Sequence, residues 1–96
     1  MDGIEKHYFS LNLKGIKDKC CQSALDEANS RISSQRPYLE ARAIYQKYFN
    51  QFKEQASQAY PTYSNEVEIF VMCNQKNFTQ DLFKKIRSIL EEKNKS

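Results

Sequence analysis

Ninety-six residues suffice for one domain, 1–96, with a small core, because a chain this short buries only about 60–65% of its unfolded surface. Hydrophobic residues at 40%, charged residues at 28%, two Gly and two Pro exclude a disordered chain and favour long regular elements. The net charge of +3 is spread out, without the dense basic stripe of a dedicated nucleic-acid binder.

The opening "MDGIEKHYFS" has no basic segment followed by an apolar run, so no signal peptide is expected. No apolar run approaches the ~20 residues that span a bilayer. The three cysteines are an odd set, and neighbouring Cys20 and Cys21 are poor disulfide partners. Reduced thiols and a cytoplasmic location follow as the expectation.

Taken in chain order, "HYFSLNL" alternates, with His7, Phe9, Leu11 and Leu13 on one side, and predicts a half-buried strand ended by Gly15. From Ile16 the period lengthens. Ile16, Cys20, Ala24, Ala28 and Ile32 recur every four residues, the stripe of an amphipathic helix, with Glu27 and Arg31 as an i,i+4 pair. Pro37 suits the first turn of a second helix. Tyr38, Ala41, Tyr45, Tyr48, Phe49, Phe52, Ala56, Ala59 and Tyr60 share its apolar face, and Pro61 forces its end at Tyr60. The two helices are joined closely enough to form an antiparallel hairpin.

"PTYSN" reads as a loop, and "EVEIFVMC", residues 66–73, as a strand apolar on both faces, with Val67, Ile69, Val71 and Cys73 on one and Phe70 and Met72 on the other. "NQKN" reads as a turn. Thr79 then N-caps a last helix, with Phe78 and Phe83 spaced as a hydrophobic staple. Leu82, Phe83, Ile86, Ile89 and Leu90 supply its buried stripe, and frayed ends are expected at about 1–5 and 92–96. The sum is an α+β domain in two layers, order β-α-α-β-α, with a long helical hairpin on a short sheet. The alternative is an all-α bundle in which 66–73 is an apolar helical segment. In the α+β arrangement Phe70, Met72 and a free strand edge need cover, which a second copy would supply as a homodimer.

Chemistry is sparse. The single histidine, His7, stands in no motif with a Cys or Ser, so no activated nucleophile is expected. Three cysteines and one histidine lack metal-knuckle spacing. Glu66/Glu68 and Glu91/Glu92 read as exposed charge, and two glycines are too few for a phosphate cradle. No catalytic residue, metal or cofactor is therefore predicted, and no enzyme.

What remains is recognition. Tyr38, Tyr45, Tyr48, Phe52, Tyr60, Tyr63, Phe70 and Met72 form the candidate protein interface, because Tyr joins rigid apolar area to a hydrogen-bonding tip. This points to a small protein-interaction module of the inhibitor, immunity or adaptor kind, of the sort phages and mobile elements encode. The alternative is a nucleic-acid accessory protein using Lys14, Lys17 and Lys19 with Lys84, Lys85 and Arg87.

Overall fold

Asp2 starts the first helix by accepting the N–H of Glu5 on its carboxylate at 2.8 Å. In the computed structural model, which describes residues 2–95, that helix (α1, Gly3–Ser30) runs without a break. It is followed by α2 (Pro37–Ala59), a 3₁₀ turn (Pro61–Tyr63), α3 (Ser64–Asn77), a π-helical segment (Phe78–Phe83) and α4 (Lys84–Lys95). The last three elements form one continuous C-terminal rod. Three rods lie side by side, up, down and up, in a bundle of 52 × 19 × 16 Å. Of the ends expected to fray, residues 3–5 and 92–95 are helical, and Met1 and Ser96 lie outside the described residues.

The expected α+β architecture is corrected. No strand occurs among the described residues, and the molecule is all-helical. Residues 7–13 lie inside α1, where Phe9 and Leu13, four apart, are buried while Leu11 between them is 52% exposed. Tyr8 and Ile4 join Leu11 on the outer face. Apolar residues on two opposite faces of a helix look like alternation over so few positions. Gly15 does not end the element but sits in open space within α1.

Residues 66–73 are helical for the same reason. Val67 and Val71, again four apart, reach the core, whereas Ile69 is exposed and so is Cys73. Val, Ile and Phe favour strands only weakly and by context, and burial at a helical spacing prevails here. With the strands goes the free edge that asked for a second copy.

The expected turn at "NQKN" is also absent. Thr79 caps nothing. Its hydroxyl donates to the Gln75 carbonyl at 2.8 Å, inside the rod, and accepts from the Tyr45 hydroxyl of α2. Phe78 is not a staple but a core residue, stacked on Phe52 with centroids 5.7 Å apart and planes within 9°. Phe83 instead lies edge-on to Tyr38, at 5.6 Å.

The π segment has a packing reason. Phe78, Leu82, Ile86 and Leu90 are all buried and recur every four residues. An α-helix rotates such a series by about 40° per step, away from its contact face. The wider π turn takes up about one extra residue, which returns Ile86 and Leu90 to the face that carries Val67 and Val71.

The other seam, α1 against α2, is built from smaller side chains. Leu13, Cys20, Ala24 and Ala28 share one buried cluster with Ala41, Ile44, Phe52 and Ala56. The hairpin end is clamped by charge. Glu27 accepts from Lys47 Nζ at 2.6 Å and from the Tyr48 hydroxyl at 3.0 Å, with Arg31 at 3.8 Å. Arg31 also pairs with Glu40 at 2.8 Å. The second oxygen of Glu40 accepts from Ser34 Oγ and from the Arg36 N–H, which closes the connection between the helices. As Pro61 requires, Tyr60 leaves the helical region, at φ −135° and ψ 66°.

Two predictions follow from this packing. Gly15→Ala should raise the unfolding free energy by about 0.5–1 kcal/mol in urea titration, since a Cβ meets nothing within 4 Å and a mid-helix glycine is costly. Hydrogen bonds from Lys47 and Ser34 hold the carboxyls of Glu27 and Glu40, respectively, below their usual range. A carboxylate with a lowered folded pKa stabilises above its unfolded value, about 4.3, and the benefit is lost as pH falls through the folded value. Thermal midpoints should therefore drop below about pH 4.3, and Glu27→Gln with Glu40→Gln should flatten that drop.

Candidate functional site

The expected tyrosine face turns mostly inward. Each ring is used between rods. Tyr45 is half-buried, stacked on Phe49 at 5.8 Å, with its hydroxyl on Thr79. Tyr48 donates to Glu27, and Tyr60 lies 4.8 Å from the Phe9 ring while its hydroxyl accepts from Asn12 Nδ2 at 2.6 Å. Tyr63 leans on Tyr60 at 6.5 Å, and Phe70 meets Phe9 edge-on at 6.4 Å. Phe52 is wholly buried. Of the eight residues, Tyr38 and Met72 are exposed, and Tyr38 is covered in part by the Arg87 guanidinium, 5.4 Å from its ring. Burial and the bond to Glu27 both raise the Tyr48 phenol above its ordinary range. It is a structural hydrogen-bond donor rather than an acid.

Apolar surface gathers elsewhere. Ile4, Tyr8 and Leu11 are 72%, 61% and 52% exposed and project from one face of α1, one turn apart. On the opposite side of α1 from this ridge, between α1 and α3, runs a groove of about 360 Å³ lined by Phe9, Ile69, Phe70 and Cys73, with Lys6 and Glu66 of opposite charge at its rim. A second groove, about 420 Å³, lies between α2 and α3 over Phe49, Val67, Val71 and Met72. Ile4, Tyr8, Leu11 and Ile69 were not among the interface residues expected from the sequence. Their signal is the 4-8-11 spacing, visible once the segment is read at 3.6 residues per turn.

The basic residues separate into two groups. Lys17 and Lys85 line one cleft of about 210 Å³ together with Cys21, Asp18 and Asp81. Lys84 joins Lys85 along the neighbouring groove over Leu25 and Ile89. Arg87 is occupied by Glu91 at 2.8 Å and by the Tyr38 ring. Lys14 and Lys19 are exposed, and neither lines these clefts. The two expected clusters thus meet only through Lys17, Lys84 and Lys85, with two aspartates among them.

Among the described residues, no group of His, Cys, Asp and Glu is placed to hold a metal ion. His7 lies edge-on to Tyr8 at 5.9 Å on the exposed side of α1, apart from the cysteines. The three thiols differ sharply. Cys20 is buried in the α1–α2 seam, Cys21 is half-buried, and Cys73 is exposed, which corrects the core-facing position expected for it. Burial pushes the Cys21 thiol up to about 11, against the partial relief that Lys17 and Lys85 provide, and burial raises Cys20 as well. Neither is a nucleophile at neutral pH.

The fold and its surface define the chain as a three-helix bundle with an apolar ridge and grooves at one end. No helix among the described residues is long and apolar enough to cross a membrane. No protein-family model, curated protein or solved structure matches the chain.

These environments predict an order of thiol labelling at neutral pH. Cys73 should react first. Cys21, half-buried and with its thiol pushed up, should lag by about 10-fold or more, and Cys20 should react only on unfolding. Mass-spectrometric mapping of maleimide adducts over time checks it.

Proposed function

We propose that the protein is a small non-enzymatic interaction module that acts by binding another protein, as an inhibitor, immunity or adaptor protein does. The observation that carries this reading is the exposed apolar ridge of Ile4, Tyr8 and Leu11, one turn apart on one face of α1. Contiguous exposed apolar surface is costly in water and marks binding sites on small proteins. The contact is therefore moved from the tyrosine face of α2 to this end of the bundle, because Tyr45, Tyr48 and Phe52 are engaged internally. The ridge spacing suits insertion into an apolar groove of a partner.

The second reading, nucleic-acid binding, draws on the meeting of Lys17, Lys84 and Lys85 along the α1–α4 side. Binding through three lysines would be weak and would fall with salt at a log–log slope of about −3.

One experiment separates the readings. Tagged chain is used to capture partners from its native cells, with and without nuclease, alongside a Tyr8→Glu/Leu11→Glu variant. Both positions are exposed, so the variant's thermal midpoint should stay close to that of the parent. A nuclease-resistant protein partner should bind the parent and bind the variant at least ~30-fold more weakly, the loss of about 2 kcal/mol expected at a contact centre. Capture abolished by nuclease, or equal capture by the variant, overturns the proposal.

A further inference from the structure

The element least secured to the rest is α3. Val67 and Val71 alone among its residues reach the core. Phe70 is half-buried, and Ile69 and Met72 face outward at 61% and 64% exposure. Grooves of about 360 and 420 Å³ separate α3 from α1 on one side and from α2 on the other. Among the described residues, its side-chain hydrogen bond to another rod is a long one, Lys17 Nζ to Asn74 Oδ1 at 3.5 Å.

The composition of α3 compounds this. Val67, Ile69, Phe70, Val71 and Cys73 are all poor helix formers, three of them stiff at χ1. Both ends are joints in which the hydrogen-bond pattern is not that of an α-helix, the 3₁₀ turn Pro61–Tyr63 and the π segment Phe78–Phe83. The chain is firmly held just before the first joint and at the start of the second. Tyr60 is held by Phe9 and Asn12, and Phe78 by Phe49 and Phe52.

We infer that α3 is a strap that opens from the bundle as a unit, hinged at the 3₁₀ turn and the π segment, while α1, α2 and α4 remain packed. Opening uncovers the apolar floor formed by Phe9 on one side and Phe49 on the other, which Val67, Phe70 and Val71 cover when it is closed. The strap is a property of the fold and does not depend on the partner proposed above.

Native-state hydrogen exchange with mass-spectrometric readout on the unmodified chain tests it. Amides of residues 66–75 should be at least 10-fold less protected than those of 20–28 and 44–56. Their exchange should respond weakly to low denaturant, because one helix exposes little surface, whereas the other two segments should respond steeply. Overturning results are equal protection across the three segments, or one shared steep dependence on denaturant, since either means that α3 leaves only when the whole bundle unfolds.

Discussion

The offset stack of Phe78 on Phe52 is the contact on which the rest of the bundle depends. It fastens the C-terminal rod to α2 near mid-length, with Phe49 edge-on to Phe78 at 5.4 Å and Tyr45 stacked on Phe49. Each buried phenylalanine is worth about 1.5–3 kcal/mol of transfer free energy, and a well-placed aromatic pair adds about 0.5–1.5 kcal/mol. In a 96-residue chain whose total stability is on the order of 5–10 kcal/mol, that cluster is a large share. It also sets the helical phase of everything after it. With Phe78 held in the core, Leu82, Ile86 and Leu90 reach the same face only if the rod widens locally into a π turn.

Away from the stack, polar groups do the joining. The α1–α2 seam is narrow because alanines line it, and it is closed at one end by Glu27 and Glu40 and at the other by the Asn12–Tyr60 hydrogen bond. Tyrosine hydroxyls reach across between rods at Glu27, Thr79 and Asn12. An amphipathic ring can sit half-buried with its tip satisfied, which is why a chain with six tyrosines and no tryptophan can use them as ties. Using the tyrosines in this way leaves little of α2 for a partner. Apolar side chains to spare lie on the first half of α1 and the outer side of α3, besides Ile32, Tyr38 and Leu39 at the hairpin end, and α3 is also flanked by grooves on both sides. The proposed contact and the proposed strap thus fall at the same end of the molecule.

Several features were legible in the residues alone. Of the four-residue stripe, Cys20, Ala24 and Ala28 are buried and Ile16 is half-buried, but Ile32 lies beyond the end of α1 at Ser30 and is 93% exposed; the α2 helix begins at Pro37 and ends before Pro61, and Glu27 meets Arg31. The candidate site was less legible. Tyr38 and Met72 are at the surface, but Phe52 is wholly buried and most of the tyrosines are inside seams, because an apolar stripe does not say whether its cover is the same chain or another. Ile4, Tyr8 and Leu11 were masked by their neighbours Phe9 and Leu13, which face the other way on the same helix.

By itself, the sequence determined where apolar and polar side chains lie along the chain, where proline forbids a helix, and which charges stand four apart, since these are local and follow from the identity of each residue. It did not determine the period at which residues 7–13 and 66–73 are read. Seven or eight residues with apolar side chains on two faces satisfy both a strand and a helix. Only the tertiary structure decided between them, because a strand needs a partner strand to satisfy its backbone, whereas a helix satisfies its own and asks only for a surface to cover. The long rods on either side offered that surface to Phe9, Leu13, Val67 and Val71, and the helix followed.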